Sequence, residues 1–246
     1  MAYPRTIPAH IHGYPGVAFG GYVAGLLADR ANPSAQGHKA IRVDFRRTIA
    51  VETPILLTAP TPDGHVRLTS TDHTLLAEAS PAELTVDPIP APSWAAAKAA
   101  TETALSSPSR TVTDCYGCGV AAPRGLRIFP WALHDRPMVA AAWTPSPSLA
   151  DESGNLPPEV VWAALDCPSG IAAWARSGMT LGAFTAALTA TQLRPLPAGA
   201  DYIAHAWPLH REGRKHTVAV ALSTPDGDLC ALAETLWLDP KPEPTA

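Results

Sequence analysis

An α+β fold in two similar halves, each a central apolar helix followed by antiparallel strands, is predicted by three observations. Two apolar helical segments, Gly13–Asp29 (GYPGVAFGGYVAGLLAD) and Pro157–Gly170 (PPEVVWAALDCPSG), lie one in each half of the chain. Each precedes a series of alternating segments, with an Asp-Gly turn before the last: Asp63-Gly64 in the first half and Asp226-Gly227 in the second. Between them the composition shifts at Asp87–Thr111, which opens on PIPAPS and runs into an Ala-rich stretch. The chain therefore divides into an N-terminal unit at 1–90, a linker at 91–111 and a C-terminal unit at 112–246. Identity between the halves is low, so the inference of duplication rests on order and spacing.

The elements follow in order. Val17–Ala31 is apolar almost all round and reads as a buried helix. Lys39–Ile49 alternates with period two, Ile41, Val43 and Phe45 on one face and Arg42, Asp44 and Arg46 on the other. Short strands are expected at Pro54–Pro60, Val66–Ser70 and Thr74–Leu84. Ser93 is placed to cap a linker helix from Trp94 to about Leu105.

In the second half, strands are expected at Gly125–Leu133 and Met138–Trp143. A helix at Pro158–Cys167 has Pro157 and Pro158 at its first turn, and Pro168 is expected to disrupt it. Strands at Thr180–Thr191, Asp201–Leu209, Lys215–Ser223 and Leu229–Leu238 complete the unit.

Composition narrows the function. A net charge of -4 with 16% charged residues supplies no basic surface for nucleic acid. No apolar run of 18 residues suggests a membrane span, and MAYPRTIPAH lacks an apolar signal core, so a cytoplasmic location is expected. Of four cysteines, Cys115 and Cys118 form a Cys-x-x-Cys, half of a zinc site with no second pair after it. His210 and His216 stand six residues apart, not a usual ligand spacing, and the expectation is no metal and no cofactor. Pro123 and Gly125 leave no helix for a redox Cys-x-x-Cys to open.

Three motifs resemble the hotdog-fold thioesterase superfamily in its double-hotdog form, close to the phenylacetyl-CoA thioesterase-like branch. HGYPGVAFGGYVAGLLAD (His12–Asp29) is similar to the segment whose glycine pair opens the central helix, with Phe19 where that branch commonly has His. CYGCGVAAPRGLRI (Cys115–Ile128) resembles a Cys-x-x-Cys-Gly…Gly-Leu opening that is not a metal site in those proteins. WAALDCPSG (Trp162–Gly170) resembles the helix carrying the acidic catalytic residue, which puts Asp166 in that role. The resemblance implies a double hotdog, two antiparallel sheets each wrapped around a central apolar helix, with an acyl-thioester site at the interface of the two units. It also implies a small to medium acyl group on coenzyme A or an acyl carrier protein, coenzyme A being part of the substrate. The pair would be self-sufficient as a monomeric pseudo-dimer or would pair again as a homodimer.

The proposed chemistry joins the two helices. Free N–H groups at a helix start favour negative charge, and glycine lets a thioester approach them, so Gly20 and Gly21 are the candidate oxyanion donors. Asp166 would act as general base on water or attack as a nucleophile. His12, Phe19 and Trp162 are candidates to line the acyl pocket, and Ser169 to hold the water. Asp29 stands one residue beyond the position that matches the acid, a rotation of about 100° on a helix, which removes it from that role.

Bland readings stand beside these: Asp166 as a helix-end cap, the glycine pair as a close-packing device, and Arg42, Arg46 and Arg47 as a solvated strand face rather than a phosphate contact. Two other functions stay open. One is an acyl-thioester binding protein without catalysis; the other is a hydratase or dehydratase using Asp29, Asn32, Pro33 and His38.

Overall fold

The computed structural model describes residues 2–31, 40–109 and 112–241. In chain order these form β1 (Ala2–Thr6), α1 (Gly20–Ala31), β2 (Ala40–Phe45), β3 (Pro54–Thr58), β4 (Val66–Ser70), β5 (Leu75–Ala82) and α2 (Trp94–Ser106). There follow β6 (Trp131–Ala132), β7 (Val139–Trp143), α3 (Pro158–Ser177), β8 (Phe184–Gln192), β9 (Tyr202–Glu212), β10 (Lys215–Ser223) and β11 (Leu229–Leu238). Asn32, Pro33, His38 and the first residue of the strand expected at Lys39 lie outside the described residues.

The strands make one sheet of 11, in the order β1-β3-β4-β5-β2-β8-β11-β10-β9-β7-β6. This corrects the expectation of two sheets. Taken alone, each half would end in two edge strands, β1 and β2 in the first and β8 and β6 in the second, of which β2 and β8 are brought together. These two edges pair antiparallel from Ile41↔Ala190 to Asp44↔Ala187, satisfying backbone groups that would otherwise face solvent.

α1 and α3 both lie against this sheet, α1 on β5, β2 and β4, and α3 chiefly on β9, β10 and β11. They also pack on each other at glycine-only distance. A Cβ at Gly21 would come within 2.7 Å of the Asp166 Cβ, and one at Gly25 within 2.3 Å of the Glu159 Cα. The two glycines are four residues apart and so share one face of α1.

The linker helix α2 forms as expected, with Ser93 Oγ accepting from the Ala96 amide at 3.2 Å. It is a packed layer. Its Ala97 and Ala100 join Met138, Ile203, Ala219 and Leu232 in a second core on the sheet's other side. β10 is consequently buried at nearly every position instead of alternating with solvent.

Three element boundaries moved for identifiable reasons. The helix predicted from Val17 begins at Gly20, because the Val17, Ala18 and Phe19 amides are taken by the carbonyls of Tyr14, Ile49 and Ile11. The strand predicted at Gly125–Leu133 shrinks to β6, because Leu126 and Ile128 donate to Tyr116 and Gly117 in the Cys-x-x-Cys turn. The helix predicted to stop at Cys167 instead continues through Pro168 to Ser177. Proline inside a helix costs about 3 kcal/mol. Beyond it Ala172 and Ala173 are fully buried and Ile171 and Ala175 pack on the core, burial that offsets the cost at roughly 0.8 kcal/mol per CH₂. Among the described residues no helix is long and apolar enough to cross a membrane.

Candidate active site

Asp166 sits in the middle of α3, 2% exposed, opposite the first turn of α1. Its Oδ2 accepts the Gly21 amide at 2.7 Å, and its Oδ1 accepts the Thr185 hydroxyl at 2.8 Å. The first turn of α1 carries no acidic residue of its own, so the carboxylate from α3 supplies the negative charge that a helix start favours. Gly20 stands beside it: a Cβ there would lie 3.3 Å from Asp166 Oδ2 and 3.5 Å from Thr185 Oγ1. No acceptor for the Gly20 amide is found among the described residues. Of the glycine pair, then, Gly21 is engaged by the carboxylate and Gly20 presents its N–H.

Burial pushes the Asp166 carboxyl up to about 6, against the Thr185 hydroxyl and the Gly21 amide, which favour the charged form. A carboxylate has about four lone-pair positions, and two are occupied here, so each oxygen retains one. A water or a reacting carbon can therefore be met by an oxygen whose direction is already fixed.

Two adjoining cavities meet near this point. The larger, about 380 Å³, includes Gly20, Asp166 and Thr185 in its wall, and Arg46, Arg47, Arg214 and Lys241 also border it. Arg46 is paired with Glu78 at 2.7 Å, and Arg214 donates to the Asp239 carbonyl at 2.6 Å. The smaller, about 150 Å³, is walled by Trp131, Trp174, Ile171, Met179 and three cysteines. Gly13, Tyr14, Phe19 and Trp237 belong to both walls and form the partition.

The remaining sequence candidates divide. Phe19 is buried, lies in the partition and meets Tyr116 edge-on. His12 donates through Nδ1 to the Ala9 carbonyl at 2.8 Å and faces Asp114 at 3.2 Å through Nε2; neither cavity wall includes it. Trp162 is buried at the helix crossing, where its carbonyl lies under Gly21, and is likewise outside both walls. Ser169 is fully buried, donates to the Asp166 carbonyl at 2.7 Å and accepts Trp237 Nε1 at 2.9 Å. It has no proton left for a water and instead fixes the partition tryptophan.

Asp29 is exposed on the far part of α1, and Arg42 is held by Asp44 on its own strand. Sequence reasoning missed Thr185, which opens β8 with nothing in its neighbourhood to distinguish it from Thr189 or Thr191. It also missed that Cys167, next to Asp166, lies with Cys115 and Cys118, the three sulfurs within 4.8 Å of one another.

No family model matches the chain, and no curated protein matches it in sequence. Solved structures are similar over nearly its whole length. A tesB protein of Mycobacterium avium subsp. paratuberculosis shares 13% identity at a TM-score of 0.65, covering 97% of this chain and 92% of that one. A proposed thioesterase of Novosphingobium aromaticivorans shares 14% at 0.64, covering 97% and 95%. A protein of Alicyclobacillus acidocaldarius, of unknown function with a hot dog fold, shares 13% at 0.57, covering 98% and 94%. The chain has the hotdog fold.

Proposed function

We propose that this hotdog protein is a thioester hydrolase acting on an acyl group carried by coenzyme A or by an acyl carrier protein. One observation carries the reading: a buried carboxylate, aimed by an amide and a hydroxyl, borders a cavity beside the unengaged Gly20 amide. In this reading the chain is two fused hotdog units, 1–90 and 112–246, and the site forms where α1 of one meets α3 of the other. The same fusion would make a monomer self-sufficient, with pairing to a homodimer as the alternative assembly, in the cytoplasm.

The reaction follows from the arrangement. Asp166 takes a proton from water, and the water oxygen attacks the thioester carbonyl carbon. The oxygen of the tetrahedral intermediate gathers charge next to the Gly20 N–H at the positive end of α1. The C–S bond then breaks, the sulfur leaves as thiolate and takes up the proton, and the acid is released. Direct attack by an Asp166 oxygen, with an anhydride hydrolysed afterwards, uses the same groups. Thr185 holds the carboxylate in either route. The aromatic-walled smaller cavity suits the acyl group, and the exposed Arg47 and Lys241 at the larger one suit the phosphates of the carrier arm.

The test is a panel of acyl-CoAs with release of free thiol followed by a disulfide reagent. Turnover that Asp166→Asn abolishes supports the reading; absence of turnover across coenzyme A and carrier-protein substrates sinks it. One observation favours a second reading, a binding protein without catalysis: both Asp166 oxygens are already hydrogen-bonded, as in a helix cap supplied in trans. That reading requires acyl thioesters to raise the melting temperature while remaining intact.

A further inference from the structure

We propose that Cys115, Cys118 and Cys167 form a zinc site with three thiolate ligands and a fourth position opening into the smaller, aromatic-walled cavity. The first two come from one turn and the third from α3, 52 residues from Cys115. Counting motifs along the chain therefore finds only half a site, while the fold adds the third ligand.

The spacing is close to that of one shared ion. Sulfurs bound to zinc at about 2.3 Å stand roughly 4 Å apart. Here Cys115 and Cys167 Sγ are 3.6 Å apart, and all three sulfurs lie within 4.8 Å of one another. The turn is shaped for this convergence at Gly117, where a Cβ would come within 2.5 Å of Cys167 Sγ and 2.8 Å of Phe19 Cζ. A side chain at that position would push the turn away from α3 and separate the thiols.

The surroundings select the ion. All three cysteines are buried and all three line the smaller cavity, with Phe19, Val112, Ile171 and Met179 in the same wall. Three thiolates with a divalent ion leave a net charge of -1, and with a monovalent copper ion -2. An apolar wall penalises the second more heavily. Among the described residues no His, Asp or Glu joins the group, so these residues leave the fourth position open. Three protein ligands with an open position is the pattern of zinc sites that exchange a ligand, whereas closed structural sites use four. On binding, three S–H bonds break, three S–Zn bonds form and three protons pass to solvent.

The test uses the full chain, stripped with a chelator and titrated with Co(II), then Zn(II). The expected result is one Co(II) per chain with sulfur-to-cobalt charge-transfer absorption, displaced stoichiometrically by Zn(II). X-ray absorption of the zinc form should show three sulfur neighbours at about 2.3 Å. Serine at Cys115, Cys118 or Cys167 should remove one sulfur neighbour and weaken binding at least tenfold, with Cys230→Ser unchanged. The wild-type absorption experiment stands even if a serine variant fails to fold. Sub-stoichiometric binding, fewer than three sulfurs, an equal effect of Cys230→Ser, or retention of Cu(I) but not Zn(II) would each overturn the assignment.

Discussion

The two cavities share a partition of Tyr14, Phe19 and Trp237 yet differ in nearly every other respect. The larger has a buried carboxylate in its wall and exposed cations at its border; the smaller has indole rings, aliphatic side chains and thiols. Under the proposed hydrolysis, the contrast teaches how one fold would separate two demands of a thioester. Charge would be stabilised where bonds change, at the carboxylate and amides gathered where two helices meet. The acyl group would need apolar area and shape, which the aromatic and aliphatic walls of its proposed chamber supply.

The strongest way to break this division is to remove the carboxylate's charge. Asp166→Asn keeps the shape of the side chain, and turnover should fall by about 10²–10⁴-fold, the usual worth of a general base, in a thiol-release assay. A fall of less than tenfold would move the chemistry elsewhere. Next comes the crossing that holds the two sides together. Gly21→Ala places a Cβ 2.7–2.8 Å from Asp166 Cβ, Ala163 Cα and the Trp162 carbonyl, so the helices must part. The expected loss of stability is about 1–3 kcal/mol in urea unfolding, with activity lost as the carboxylate shifts.

The smaller cavity is sharpened by Trp174→Ala, which enlarges it. The preference between a long and a short acyl chain should shift by roughly tenfold in kcat/KM, the scale that one or two methylenes contribute in an apolar pocket. If the preference does not move, the acyl group lies elsewhere. The smallest effect is expected at the border: Arg47→Ala should raise KM by about two- to fivefold and leave kcat unchanged, and the difference should vanish at high salt.

Much of this was readable from the chain because periodicity and breaker residues act locally. β4, β10 and β11 match their predicted bounds, and both Asp-Gly turns form, with Gly64 and Gly227 at φ of 82° and 95°. Asp166 stood out as a lone carboxylate among apolar residues, and its approach to the Gly20–Gly21 turn followed from assuming that the halves face each other. What could not be read depends on contacts between distant segments. The β2–β8 pairing merges two expected sheets, and no local pattern encodes which edges meet. Pro168 reads as a stop until packing around α3 is known. Ser169 and Thr185 illustrate the same point at the site. Spacing along the helix favoured Ser169, but its proton goes to the Asp166 carbonyl. The hydroxyl that reaches the carboxylate belongs to a strand beginning almost twenty residues later.

Joining the halves edge to edge has one more consequence. Two separate sheets would expose four edge strands, while among the described residues the merged sheet ends only at β1 and β6. Both ends are poor templates for a neighbouring chain. β6 is two residues long, and β1 carries Pro4, which has no amide proton to offer. A chain organised around one large sheet is thereby protected against edge-to-edge association with its neighbours, a safeguard that owes nothing to its chemistry.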